Sequence, residues 1–304
     1  RLSWRIESDE QNVMQTAYHI LVASSADLLA QEKGDIWDSG KIESDASQWI
    51  AYQGKPLKRN ARYYWKVKVY TNRGEADWSA PAFWSMGLLN EADWQGQWIG
   101  LDRAASGDSE TQWSRLAARY LRKEFALSKE VKRATVHIAG MGLYELFING
   151  QRIGDQVLAP APTDYRKTIL YNTYDVTPQL RKENAIGVTL GNGRFYTMRQ
   201  NYKPYKIPTF GYPKLRLNLI VEYMDGSKET IATNTSWKLT TEGAIRSNNE
   251  YDGEEYDARK ELGNWTQSGY DDKSWIAAQR VSIPSGTLRA QIMPGMKVMD
   301  TLKP

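Results

Sequence analysis

Leu215–Thr233 reads LRLNLIVEYMDGSKETIAT. Leu215, Leu217, Leu219, Val221 and Tyr223 recur at every second position, the period of an extended strand with one face buried. Asp225-Gly226 then turns the chain and a second strand returns. Gly142–Gly154, GLYELFINGQRIG, repeats the design with Asn149-Gly150 at its centre. Asn-Gly between extended runs is the strongest short hairpin signal, because both central positions of a type I′ turn need positive φ; the Asp225-Gly226 turn follows the same rule.

The same alternation extends outward. Arg133–Gly140 (RATVHIAG) sets Ala134, Val136 and Ile138 against Thr135 and His137, and Glu183–Gly193 (ENAIGVTLGNG) is a strand running into a glycine-rich loop. Many antiparallel strands with long connections at one end fit an all-β jelly-roll sandwich over residues 119–285, whose loops commonly gather binding residues. A plain structural sandwich is the alternative. Upstream, Ala61–Tyr70 (ARYYWKVKVY) places Tyr63, Trp65, Val67 and Val69 on one face and Arg62, Tyr64, Lys66 and Lys68 on the other. With strands at Thr16–Ser24 and Asp35–Ile42 and an end at Trp78–Gly87, residues 1–88 form a separate small β-sandwich. Residues 89–118 read as a linker plus edge strand whose Trp94 and Trp98 are tucked against one or both domains, and 286–304 as the start of a connection to further domains.

Composition narrows the function classes. The 304 residues carry 40 basic and 36 acidic side chains, a net charge of +4, with 41% hydrophobic and 12% aromatic residues, which is ordinary globular material. No basic run marks a nucleic-acid partner; KEVKRA at Lys129–Ala134 is a polar turn before a strand. Cysteine is absent, removing disulfides and thiolate chemistry. No apolar run reaches the length of a membrane span. The start at RLSWRIES, without Met or a signal-peptide pattern, reads as processed or excised from something longer.

Candidate chemistry is sparse. The two histidines, His19 and His137, lie in separate strands without metal-ligand spacing, so each reads as a hydrogen-bonded strand residue. Calcium stays open, since Asp and Asn side chains and carbonyls in sandwich loops build such sites without regular spacing. LGNGRFY lacks the third glycine and the helix of a dinucleotide fingerprint, no phosphate-cradling GKS or GKT occurs, and no GxSxG elbow is present. No cofactor is indicated.

Tyr251–Arg259, YDGEEYDAR, concentrates Asp252, Glu254, Glu255 and Asp257 ahead of Arg259. Two carboxylates across a sugar suffice for glycoside hydrolysis, about 6.5–9.5 Å apart in the inverting geometry. A Gly/Asp/Tyr loop of this density reads more cheaply as a turn whose acids cap backbone N–H groups or pair with Arg259. Gly191–Pro213 supplies Phe195, Tyr196, Tyr202, Tyr205, Phe210 and Tyr212 beside Asn192, Arg194, Arg199 and Asn201. Aromatic platforms beside amides and guanidinium groups suit sugar recognition; the competing reading is that the rings cover the sheet end or dock a neighbouring domain. The candidate binding or interface set is therefore Asn192, Arg194, Phe195, Tyr196, Arg199, Tyr202, Asp252, Glu254, Glu255, Asp257 and Arg259.

YYWKVKVY (63–70), WQGQWIG (94–100), the block Gly142–Val176, NAIGVTLGNGRFY (184–196) and YDGEEYDAR together resemble the N-terminal half of bacterial α-L-rhamnosidases of glycoside hydrolase family 78, over nearly the whole chain. The resemblance implies a fibronectin type III-like sandwich, then a jelly-roll, galactose-binding-like sandwich, then a downstream helical barrel. In that family the barrel holds the acid and base that cleave terminal α-L-rhamnosyl groups with inversion. No position here matches the barrel's acidic motif, so no catalytic residue is carried over. The family's Gly-Trp-Tyr-like step is replaced by Arg194 and Phe195 after Gly193. What the resemblance implies is a non-catalytic accessory region partnered by the barrel of the same polypeptide, with a periplasmic or secreted location expected and a cytoplasmic one the alternative. The competing function is a rhamnose-binding carbohydrate module, calcium-assisted or not.

Overall fold

The computed structural model describes residues 1–104, 116–196, 210–250 and 253–303, which fall into two compact units, Arg1–Leu89 and Asn90–Pro304. In the first, the strands are β1 (Gln15–Ala23), β2 (Trp37–Glu43), β3 (Arg62–Thr71), β4 (Gly74–Trp78) and β5 (Ala82–Ser85), paired in the order β2-β1-β3-β4 with β5 on β3. Tyr63, Val67 and Val69 point into a core with Tyr18, Ile20 and Val22. On the opposite face Lys66 is not left in water: it is buried, its Nζ 4.8 Å from the centre of the Trp78 ring. A cationic stem covering an indole removes apolar surface while keeping the charge against the ring's negative face. His19 hydrogen-bonds Asp38 at 2.6 Å.

The second unit contains β6 (Ile99–Gly100), β7 (Arg119–Ala126), β8 (Val131–Met141), β9 (Leu143–Ile148), β10 (Gln151–Arg152), β11 (Thr168–Asp175), β12 (Glu183–Gly191) and β13 (Lys214–Tyr223). It continues with β14 (Lys228–Ala232), β15 (Lys238–Thr240), β16 (Ile245–Asn249), β17 (Gly253–Tyr256), β18 (Ile276–Ala277), β19 (Gln279–Arg280) and β20 (Thr287–Ala290). One sheet runs β10-β9-β12-β7-β15-β18; the other runs β19-β6-β13-β8-β11-β20 with β14 on β13. Among the described residues the α-helix present is a five-residue turn, Ala26–Ala30, and no helix is long and apolar enough to cross a membrane. The all-β expectation holds.

The core between these sheets is the face read from the opening stretch. Leu215, Leu217, Leu219 and Val221 are fully buried with Val136 and Ile138 of β8, Leu146 and Ile148 of β9, and Ile186, Val188 and Leu190 of β12. At about 25 cal/mol per Å² of apolar surface, this alternating set supplies the main driving force for the unit. Asn149 and Gly150 both take positive φ (+51° and +82°), as a type I′ turn requires. The other hairpin differs: of Asp225 and Gly226 only Gly226 is left-handed, at φ +81°, and Tyr223 and Ser227 close a three-residue loop through Tyr223 N–H donating to Ser227 O at 2.9 Å. That pattern is a turn completed by a left-handed glycine, so the same dipeptide signal served a longer loop.

The segment read as a linker is built into the second unit. Trp94 is buried edge-on against Tyr171 (5.2 Å between ring centres), beneath the Arg216 guanidinium, whose Nε donates to Gly96 O at 2.6 Å. Ile99–Gly100 has strands on both sides, β13 and β19, rather than lying at an edge. Likewise Thr287–Ala290, inside the stretch read as a connection, pairs in parallel with β11.

His137 sits in β8, fully buried, with Nδ1 hydrogen-bonded to Thr173 Oγ1 at 2.9 Å. Burial, reinforced by Arg133, lowers its pKa from 6.5 to about 4. The folded pKa is depressed, so the unfolded chain takes up the proton first as pH falls. The stability is whole above about pH 6.5 and is lost as pH drops toward about 4, by up to about 3 kcal/mol. Urea midpoints of the second unit, read from exchange of β8 amides across that window, should fall with pH for the wild type and fall less for His137→Gln; equal slopes would assign the acid sensitivity elsewhere.

Candidate functional site

At one end of the second unit, a cleft of about 750 Å³ opens over the outer face of the six-stranded sheet. Its floor is the start of β9 and the end of β12, with Leu143, Glu145, Thr189 and Gly191. One wall is the β16–β17 hairpin, which contributes Asn248, Asn249 and Glu254; the other is the loop through Leu158 and Tyr165, with Met296. The lining is more apolar than polar in area but carries amide, carboxylate, guanidinium and phenol groups, the mixture found in sites for small polar organic ligands.

The hairpin wall is anchored at two points. Ala118 N–H donates to Ile245 O and Ile245 N–H to Tyr120 Oη, both at 3.1 Å. Farther along, Asn248 Oδ1 accepts Asn192 N–H at 2.6 Å, while Asn192 Nδ2 reaches Leu116 O at 2.6 Å. Asn192 Oδ1 and Asn248 Nδ2 are buried without a hydrogen-bond partner among the described residues, an acceptor and a donor at the base of the wall. Arg194 and Glu250 face each other at 3.9 Å, and burial pushes the Tyr165 phenol up to about 12, so it acts as a neutral hydrogen-bonding group at ordinary pH.

The structure separates the residues singled out from the sequence. Arg194 and Glu254 line the cleft, and Asn192 lies buried behind it. Phe195 and Tyr196 are buried: Phe195 stacks on Phe210 (6.0 Å) and meets Tyr165 edge-on (5.3 Å), and Tyr196 stacks on Tyr212 (5.5 Å). These two rings pack against other rings and are not among the residues that line the cleft. Glu255 alternates with Glu254 along β17, opposite Ser247, and is exposed outside the cleft. Asp257 and Arg259 serve each other: Arg259 Nε and Nη2 both donate to the Asp257 carboxylate at 2.8 Å, and Asp257 Oδ1 accepts Arg259 N–H at 3.1 Å. Arg259's hydrogen bonds hold the Asp257 carboxyl at about 2, the behaviour of a turn cap. Arg199, Tyr202 and Asp252 lie outside the described residues.

Several lining residues escaped the sequence reading. Glu145 and Thr189 come from strands chosen for their alternation and had no signal beyond being polar in a strand, whereas Asn248, Asn249 and Glu250 belong to a hairpin the sequence reading did not pick out. Of the lining carboxylates, Glu145 accepts from Arg152 Nε at 3.2 Å and Glu250 stands opposite Arg194. Among the described residues no group of three or more His, Asp or Glu side chains is arranged to hold a metal.

Fold and cleft together define an all-β chain of two units, the second a sandwich with an end-on binding-type cleft. Residues 129–300 match the family described as "Alpha-L-rhamnosidase N-terminal domain", and residues 1–90 that described as "Rha78A-like, N-terminal immunoglobulin domain". The chain belongs to the α-L-rhamnosidase N-terminal domain family. It is 40% identical over 322 residues to an α-L-rhamnosidase of Formosa agariphila, covering 99% of this chain and 34% of that one. The solved α-L-rhamnosidase from Dictyoglumus thermophilum superposes with a TM-score of 0.88 at 40% identity, over 99% of this chain and 34% of that one. The Aspergillus terreus enzyme gives 0.82 at 32%, over 93% and 32%. The chain thus spans about a third of the length of these relatives.

Proposed function

We propose that this chain is the non-catalytic N-terminal accessory region of an inverting α-L-rhamnosidase, supporting a catalytic helical barrel carried by the same polypeptide. The observation behind it is a match along essentially all of this chain to about a third of rhamnosidases at up to 40% identity. Within that reading, residues 1–88 are a fibronectin type III-like sandwich and 119–285 a jelly-roll, galactose-binding-like domain that the flanking strands Ile99–Gly100 and Thr287–Ala290 extend. The protein works in the periplasm or outside the cell.

Inverting hydrolysis needs an acid and a base fixed on opposite sides of the scissile bond. Two of the cleft's carboxylates, Glu145 and Glu250, face guanidinium groups as ion-pair partners rather than standing as proton donors. An assay with p-nitrophenyl α-L-rhamnoside should therefore give no turnover above a heat-treated control for the 304-residue chain and clear turnover for the longer polypeptide. Turnover by the chain alone overturns the reading.

A second reading is a carbohydrate module for rhamnose-containing glycans, with or without calcium. The cleft favours it: Arg194, Glu254 and the unpartnered amide atoms of Asn192 and Asn248 sit beside apolar Leu143 and Met296. Calorimetry with L-rhamnose and rhamnosylated oligosaccharides separates the two. Saturable binding weakened by Arg194→Ala or Glu254→Gln supports a module; no heat up to millimolar sugar leaves the scaffold reading alone.

A further inference from the structure

We infer that Gln291–Leu302 is a docking strip on which the remainder of a longer rhamnosidase polypeptide seats; this rests on the accessory-region reading. The backbone of the strip is specifically held between Gln291 and Lys297. Gln291 N–H donates to Tyr171 O at 2.9 Å, Val157 N–H donates to Met296 O at 2.9 Å, and Lys297 bridges to Gln156 in the backbone and to Asp155 at 2.5 Å through its side chain. Gly295 lies so close to the Gln156 side chain that an added Cβ would stand 2.3 Å from its Cδ.

The side chains do the opposite. Ile292 is 94% exposed, Met299 90% and Leu302 87%, and Met293, Met296 and Val298 are each at least half exposed. Leu158, on the loop that holds the strip, is 57% exposed and fixed at φ +54°. Scattered exposed apolar residues are normal on any surface. Six within eleven positions, on a segment whose backbone is hydrogen-bonded at Gln291, Met296 and Lys297, form a stripe for a partner to cover.

Three features choose the partner. The relatives carry about twice as much further chain as the part matched here. The stripe follows directly on β20, so residues covalently joined beyond it reach it at high effective concentration. Its charges are balanced: Lys297 is matched by Asp155, and Asp300 stands beside Lys303, so nothing in it selects a polyanion. Flexible methionines suit an apolar surface that must conform to a neighbour.

The test compares the 304-residue chain with the full-length polypeptide, each as wild type, as Ile292→Ser/Met299→Ser, and as the control Met224→Ser, an exposed apolar residue in the β13–β14 loop. Hydrogen exchange of amides 292–302 and limited trypsinolysis within the strip are the readouts. In the full-length protein the strip amides should be protected relative to the short chain. The double variant should lose that protection and be cut about tenfold faster, since cleavage follows the open population. In the short chain the same substitutions should leave the melting temperature unchanged, because both side chains already stand in water. Equal exchange in long and short wild-type proteins overturns the inference. So does a dimer of the short chain that the double variant dissolves, which would assign the strip to a second copy, or sugar binding lost in the variant with exchange unchanged. Absence of rhamnosidase turnover in the wild-type full-length protein would instead sink the accessory reading, whatever the exchange shows.

Discussion

Replacing Arg122 by methionine should destabilise the second unit by about 3–5 kcal/mol, the cost of breaking a buried charged network from one side. Arg122 lies on β7 with its side chain almost wholly buried, and each of its three nitrogens donates a hydrogen bond. Nε reaches Trp265 O at 2.9 Å, Nη2 reaches Gln267 O at 3.0 Å and the Glu124 carboxylate, Nη1 pairs with Asp272, and Tyr270 lies over the guanidinium at 5.3 Å. All but Glu124 belong to one stretch, 265–272, which the arginine holds against the outer face of the sheet. That stretch brings Trp265 onto Tyr120, with Trp275 against Trp265, and Trp265 and Thr266 onto Gly187, where a Cβ would stand 2.6 Å from Thr266 Cγ2.

Methionine fills much of the volume but leaves two carbonyls and two carboxylates without their shared donor. Lysine keeps the charge yet, as a compact point donor, cannot serve acceptors spread around a planar fork, so Arg122→Lys should recover less than half of the loss. Because the chain has two units, a single midpoint would mix them. Exchange of β7 and β12 amides under increasing urea isolates the second. An Arg122→Met protein whose β7 amides keep wild-type protection would contradict the clasp.

The sandwich was legible in the sequence because its signal is one-dimensional. Burial at Leu215, Leu217 and Leu219, or at Val136 and Ile138, repeats with the pleat, so periodicity alone identifies the inner face. Asn149-Gly150 was legible for the same reason, since a local backbone demand has a local residue answer. The cleft was not. Leu143, Thr189, Asn248 and Met296 are brought together only by pairing β9 with β12 and folding a hairpin and a terminal strip around them, and no spacing encodes that. Ring orientation was hidden for a different reason. Phe195 and Tyr196 have the composition of a sugar platform, but composition does not say which way a ring points, and burial against Phe210 and Tyr212 removed both from the cleft.

Gly142→Ala should cost about 2–6 kcal/mol, combining about 1–3 for backbone strain with about 1–3 for overpacking. Gly142 is the single residue between β8, in one sheet, and β9, in the other, so the chain changes layers there in one step. The step is made at φ +120°, where a side chain is strained whatever the space. An added Cβ would also stand 2.1 Å from the carbonyl oxygen of Gly191, the partner of Leu143 in the β9–β12 ladder. A backbone oxygen in a ladder cannot swing aside as a side-chain end can, so relief must come from prising β12 off β9. Gly191, Gly193 and Leu143 all line the cleft, so the damage is aimed at its floor. Two readouts then move together: the urea midpoint of the second unit falls, and the Leu143 and Gly191 amides lose exchange protection ahead of the rest of β9 and β12. Gly226→Ala, at another left-handed glycine but with nothing within 4 Å of the new Cβ, tests the division of cost, because it carries strain without collision. It should lose only about 1–3 kcal/mol and leave the cleft amides untouched. If Gly142→Ala costs no more than Gly226→Ala, the collision with Gly191 is not what fixes the layer change, and the coupling of that joint to the cleft floor falls with it.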